Sequence, residues 1–175
     1  LLGQTTSVTT PMEFLNQFKN IENLSFTHCV EASVADLEKI KELDAVINHC
    51  VTSNRLLNNS KLEIEKLINL NIPFSIGTDG LSSNNSLSMF DELRTALMVH
   101  SSENIIELSK KLLKAATLNG SIALGLNKGV LEKQKDADII SFNLAGDIED
   151  KEDLAMQIIL HTKSVNKTII GGVVV

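Results

Sequence analysis

Three times between residues 24 and 98 a short run of strand-forming residues gives way to a segment with helical periodicity, and this alternation restricts the fold more than any other feature. The first run, residues 24–30, contains Phe26, Thr27 and Val30. It is followed by Ser33-Val34-Ala35-Asp36, a capping box that opens a helix with Leu37, Ile40 and Leu43 on one face. The second run, residues 45–49, leads into a loop through Thr52, Ser53 and Asn54 to about Asn59. Ser60-Lys61-Leu62-Glu63 then caps a helix whose apolar side is Leu62, Leu67, Ile68 and Leu70, with Asn71 as its left-handed stop. The third run, residues 73–76, is apolar on both faces and enters Gly77-Thr78-Asp79-Gly80. A polar loop reaches Ser88, which with Asp91 boxes a helix over residues 89–98. Successive strands joined by single helices pair in parallel through right-handed crossovers. The expected class is therefore α/β, with a parallel sheet covered by helices.

Upstream, Thr10-Pro11-Met12-Glu13 starts a helix with Phe14, Leu15 and Phe18 on one face, ending near Lys19-Asn20. Downstream, residues 102–117 are helical and residues 119–126 form a short helix stopped by Gly125. The texture then changes. Residues 133–138 are a charged turn, residues 139–142 a strand, residues 150–160 a helix, and residues 167–175 a hairpin turning at Gly171-Gly172. Two parts are expected, residues 1–129 and a small β-rich appendage over residues 130–175. A chain of 175 residues that is 43% hydrophobic buries a real core, and its net charge of −6 with interspersed signs disfavours nucleic acid or an anionic membrane as partner. Tyr and Trp are absent, which removes most base-stacking groups. No stretch approaches the ~20 apolar residues of a membrane span, and residues 1–6 lack the charged and apolar regions of a signal peptide, so a cytoplasmic location is expected. Cys29 and Cys50 are read as reduced thiols.

In a parallel sheet, functional groups gather beyond the C-terminal ends of the strands. That edge is where the three runs place His28, His49 and Asp79. Imidazole titrates near neutral pH and carboxylate is a hard anionic ligand, so the set suits metal binding or proton transfer. Each residue alone has a plainer explanation: Asp79 as a solvated turn residue between Gly77 and Gly80, each histidine as a backbone hydrogen-bonder. Only their alignment favours chemistry.

The residues His28-Cys29-Val30, Ser53-Asn54, Gly77-Thr78-Asp79-Gly80 with Ser83-Asn84-Asn85, Asn119-Gly120 with Ala123-Leu124-Gly125, and Lys135-Asp136-Ala137-Asp138 occur in an order and spacing that resembles amidohydrolase-superfamily deaminases and chlorohydrolases. The most specific element is the GTDG and SNN combination. The resemblance covers nearly the whole chain and implies a (β/α)8 barrel with a small β-sandwich built from both termini, the three strands being the sixth, seventh and eighth. It implies Asp79 as a metal ligand and proton shuttle, and His28 as the histidine that orients the attacking hydroxide or the substrate. The metal implied is zinc, or another divalent ion such as iron. The reaction implied is attack of a metal-activated water on an amidine-like ring carbon with loss of ammonia.

The departures are equally informative. The four histidines are His28, His49, His100 and His161, so no His-x-His pair and no fifth-strand histidine is present, and the substrate-protonating glutamate of such deaminases is also missing. A barrel entered just after its fifth strand lacks these together. The chain is therefore expected to be the C-terminal part of a longer enzyme, to bind no stoichiometric metal alone, to pair with the N-terminal part of the same enzyme, and to form a homo-oligomer. Glu31 stands where a second histidine is usual, and His49-Cys50-Val51 where His-Asn-Pro is usual. Both variations resemble the branch that deaminates aminodeoxyfutalosine in menaquinone synthesis. An S-adenosylhomocysteine or methylthioadenosine type of deaminase, or a chlorohydrolase, is the alternative within the family. A non-catalytic binding or regulatory α/β module explains the absent ligands without a longer enzyme, and an open-sheet protein with Asp79 as phosphoacceptor is a third class, which would want further acids and a lysine at neighbouring strand ends.

Overall fold

The computed structural model describes residues 10–101, 104–144 and 151–175. The first layer is α1 (Pro11–Leu15), β1 (Ser25–Thr27), α2 (Val34–Glu42), β2 (Val46–His49), α3 (Val51–Leu56), α4 (Ile64–Asn69) and β3 (Phe74–Ile76). These three strands form one sheet in the order β1-β2-β3, parallel throughout, with Thr27 opposite Asn48 and Asn48 opposite Ser75. Then follow α5 (Met89–Val99), α6 (Ile105–Lys114) and α7 (Gly120–Ala123), the last two joined by a π-helical turn over Ala115–Asn119. The chain ends in β4 (Ile139–Ser141), α8 (Leu154–His161), β5 (Lys167–Ile170) and β6 (Val173–Val174), whose strands make a separate antiparallel sheet.

Local chemistry explains most boundaries. Two of the expected capping boxes form, Thr10 with Glu13 and Ser33 with Asp36, each satisfying two otherwise orphaned N–H groups. Asn71 ends the α4 segment at φ 55°, and the β5–β6 hairpin turns at Gly171 and Gly172, both at positive φ. The core lies between the parallel sheet and its helices: Ile47, Phe74 and Ile76 from the strands meet Leu37, Ile40, Leu67, Leu93, Leu97, Leu108 and Leu112. Ile159 of α8, fully buried, joins the same core, so the terminal segment folds back onto α5 and α6. Arg94 clamps this packing. Its Nη1 donates to the carbonyls of Ile159 and Thr162, both at 3.0 Å.

Four expectations need correction. Residues 51–56 are helix, not loop, because the Thr52 N–H is capped from another element, by the Glu92 carboxylate of α5. Helix α4 starts at Ile64 with no side-chain cap, so Ser60 does not cap it. Strand β1 stops at Thr27, since His28 and Cys29 turn to φ 72° and 51°. Ser88 accepts from the Asp91 N–H, but the Asp91 carboxylate is taken by Ser86 and Arg94 and does not complete a box. Helix α6 is capped by Asn104; the expected starts at Ser102 and Asp150 lie outside the described residues. Among the described residues no helix is long and apolar enough to cross a membrane.

Candidate active site

Asp79 follows β3 in a turn at φ 59°, a backbone conformation that aspartate tolerates better than most residues. Its carboxylate is held from three directions. Oδ1 accepts the Gly80 N–H at 2.8 Å, and Oδ2 accepts the Ser53 hydroxyl at 2.7 Å. Ser83 Oγ, 3.1 Å from Oδ2 and 3.0 Å from Ser53 Oγ, closes a triangle. The Ser53 hydroxyl first, then the Gly80 N–H and Ser83, with a smaller pull from His28, hold the Asp79 carboxyl below the usual carboxylate range. The side chain is 35% exposed, so the charge faces solvent on one side while its geometry is set from behind.

His28 arrives from the end of β1. Its backbone N–H bonds the Asn48 carbonyl at 3.0 Å, continuing the ladder one residue past the strand. Its Nδ1 lies 2.8 Å from Asn54 Oδ1, an oxygen that only accepts, so Nδ1 carries the proton and Nε2 is left for the site. Nε2 is 3.7 Å from Asp79 Oδ2. The gap is too long for a direct hydrogen bond, yet one oxygen lying off the line between the two atoms can reach both. The pair thus offers a carboxylate acceptor and an imidazole nitrogen to a common small ligand. Helix α3, a loop by the sequence expectation, supplies both supports, Ser53 and Asn54. Beneath them a cavity of about 310 Å³ is lined by Thr27, Asn48, Ser75, Gly77 and Asp79 among others. Asn48 spans the sheet there, its Nδ2 3.4 Å from Thr27 Oγ1 and its Oδ1 accepting from Ser75.

His49 does not join them. Side chains alternate along a strand, and Asn48 faces the cavity, so His49 turns to the opposite face, against α5. There its Nε2 lies 2.9 Å from Nε2 of His100, and both rings are buried. Burial, reinforced by His100 and His28, pushes the His49 imidazole down to about 3; burial and Lys61 push His100 down to about 4. The sequence alignment of three groups therefore becomes a pair, Asp79 and His28, plus a separate buried histidine couple.

Zinc takes three or four protein ligands. Among the described residues no group of three or more His, Cys, Asp or Glu side chains is placed to hold a metal ion. The donors present here, one carboxylate and one imidazole, do not make a complete site by themselves. Cys50 does not supplement them: burial first, then Asp79 and Glu92, raise its thiol to about 11.

The chain is 41% identical over 171 residues to the aminodeoxyfutalosine deaminase of a Nitratiruptor species, covering 98% of this chain and 42% of that protein. Its fold matches the crystal structure of Helicobacter pylori aminofutalosine deaminase in complex with methylthio-coformycin. That match has a TM-score of 0.88 and 35% identity over 99% of this chain and 43% of the other. An adenosine deaminase from Xanthomonas campestris, solved with bound zinc, matches with a TM-score of 0.79 and 27% identity over 94% of this chain and 39% of the other. The chain thus spans about two fifths of the length of the relatives it matches. With residues 2–175 matched by the sequence model of the amidohydrolase family, and with these likenesses running almost end to end, the chain belongs to the amidohydrolase family.

Proposed function

We propose that the intact protein is a hydrolytic deaminase acting on an amino-purine, nucleoside-like substrate, with aminodeoxyfutalosine as the candidate. The observation that carries this reading is the Asp79–His28 pair: a carboxylate kept ionised by Ser53, Gly80 and Ser83, with an imidazole Nε2 at 3.7 Å. Its near end-to-end likeness to an aminodeoxyfutalosine deaminase supports the choice of substrate.

In this reading Asp79 is a ligand to a divalent ion, zinc or iron, whose other ligands come from the part of the enzyme outside these 175 residues. When bound, such an ion lowers the pKa of a coordinated water from about 16 toward ~7. The chain's own residues do the rest. Asp79 takes a proton as the water oxygen bonds to the ring carbon, and returns it to the departing amine. His28, with Nδ1–H spent on Asn54, uses Nε2 to orient the water or the ring. The exocyclic carbon–nitrogen bond breaks, the second water proton ends on the ring nitrogen as the oxygen becomes a carbonyl, and water plus ring amidine become ring amide plus ammonia. The three parallel strands are read as the sixth to eighth of a (β/α)8 barrel over residues 1–129, and residues 130–175 as the C-terminal share of a sandwich shared between both ends of the enzyme.

Ammonia release by the full-length protein, assayed with aminodeoxyfutalosine beside adenosine and S-adenosylhomocysteine, tests the reading. Turnover highest with aminodeoxyfutalosine is expected. Turnover of none of the three refutes it.

A further inference from the structure

Glu92 of α5 is only 1% exposed, and both of its carboxylate oxygens are engaged by neutral donors. Oε1 accepts the Thr52 backbone N–H at 2.9 Å and Oε2 accepts Asn84 Nδ2 at 3.1 Å. Asn84 Nδ2 also donates to the Thr78 carbonyl at 2.6 Å. Each of these contacts falls beside a residue that touches Asp79 or His28. Thr52 directly precedes Ser53 and Asn54, Asn84 directly follows Ser83, and Thr78 directly precedes Asp79. A carboxylate withdrawn from water is unfavourable unless its lone pairs are met, and here they are met by two segments that carry the site, with Asn84 passing the link on to the Thr78 carbonyl.

We propose that Glu92 is the positioning residue of the Asp79–His28 pair, an inference that rests on the deaminase reading for its kinetic consequence. Through Thr52 it sets where α3 begins, hence where Ser53 meets Asp79 and where Asn54 meets His28. Through Asn84 it sets the turn from Thr78 to Ser83. Supporting hydrogen bonds of this kind fix the orientation and tautomer of the groups in front of them. A Glu92→Gln side chain keeps one acceptor oxygen but turns an NH2 toward a donor, cutting one of the two links. Glu92→Ala cuts both.

The test uses the intact protein, metal-free and labelled with nitrogen-15 in histidine, with the His28 signals assigned by their loss in His28→Gln. The parent is expected to show His28 protonated at Nδ1. Both Glu92 variants are expected to shift it toward a mixture with the Nε2–H form, because Asn54 no longer holds Nδ1. In the metal-loaded enzyme kcat is expected to fall about 10- to 100-fold, with KM changed far less. Leu112→Ala, a fully buried core change on α6, serves as the control that lowers Tm without touching this network. It is expected to leave the His28 tautomer and kcat as in the parent. Should Glu92→Ala fail to fold, Glu92→Gln carries the comparison. The proposal is overturned if Glu92→Gln retains the parent's tautomer and kcat, or if Leu112→Ala at an equal loss of Tm alters both as much. An intact protein that deaminates nothing refutes the functional reading alone, since the tautomer comparison is made without substrate and decides the role of Glu92 separately.

Discussion

The buried histidine couple gives the fold an acid-sensitive seam whose size follows from the structure. His49 and His100 share one Nε2···Nε2 contact at 2.9 Å, and among the described residues neither Nδ1 has a hydrogen-bond partner. Their folded pKa values, about 3 and about 4, lie below the ~6.5 of histidine in an unfolded chain. The sign follows: stability is complete above about pH 6.5 and is lost as pH falls toward the folded values, because only the unfolded chain binds the protons. At pH 5 the folded pair is still neutral, while each unfolded histidine has gained about 1.5 units of driving force. That is about 2 kcal/mol per histidine and about 4 kcal/mol for both. Replacing both partners by leucine removes the titration along with the hydrogen bond, a change that is close to neutral when both groups go together. Urea unfolding of the intact protein and of the His49→Leu/His100→Leu variant at pH 7.5 and pH 5 is the assay. The two are expected to match within about 1 kcal/mol at pH 7.5, with the variant more stable by about 4 kcal/mol at pH 5. An unchanged difference between the two proteins across that interval refutes the assignment of a neutral buried pair.

Further outcomes follow from other contacts. Arg94→Met leaves the Ile159 and Thr162 carbonyls without their guanidinium donor and is expected to destabilise by about 2 to 3 kcal/mol, read as faster hydrogen exchange in α8 than in β2. At Gly129, where φ is 91°, an added Cβ meets Ser121 Oγ at 2.6 Å and the Thr117 carbonyl at 2.7 Å; Gly129→Ala is therefore expected to lower Tm, and an unchanged Tm refutes the close approach. The 175-residue chain by itself, dialysed and analysed for metal, is expected to hold well under one equivalent of zinc or iron, because the donors among the described residues do not complete a site; one tightly held ion per chain speaks against missing ligands.

What the sequence makes legible here is what short-range chemistry decides. Thr10 with Glu13 and Ser33 with Asp36 are three residues apart, and Asn71 and Gly171-Gly172 need only their own backbone preferences, so these boundaries are readable one at a time. The parallel order of β1, β2 and β3 follows from the helical connections between successive strands, and with it the nearness of His28 to Asp79. The rest depends on contacts between distant segments. Residues 51–56 have loop-like Thr52, Ser53 and Asn54, and become helix because Glu92, 40 residues further on, caps Thr52. Ser53 and Ser83 meet on Asp79 only once that helix exists. The displacement of His49 is within reach of the sequence, since alternation along β2 puts it opposite Asn48, and the polar row of Thr27, Asn48 and Ser75 across the three strands marks the face that lines the cavity.

The claim on which the rest depends is that Asp79 serves as a base and ligand and not as a turn residue. Asp79→Asn keeps the size of the side chain and its place in the turn, while removing the charge that Ser53, Gly80 and Ser83 stabilise. The decisive measurement is kcat of the full-length Asp79→Asn variant with aminodeoxyfutalosine, compared with the parent at matched metal content. A fall of at least ~10²-fold, with weaker metal retention during dialysis, is the predicted result. Turnover within a few-fold of the parent contradicts it and leaves residues 77–80 as a turn.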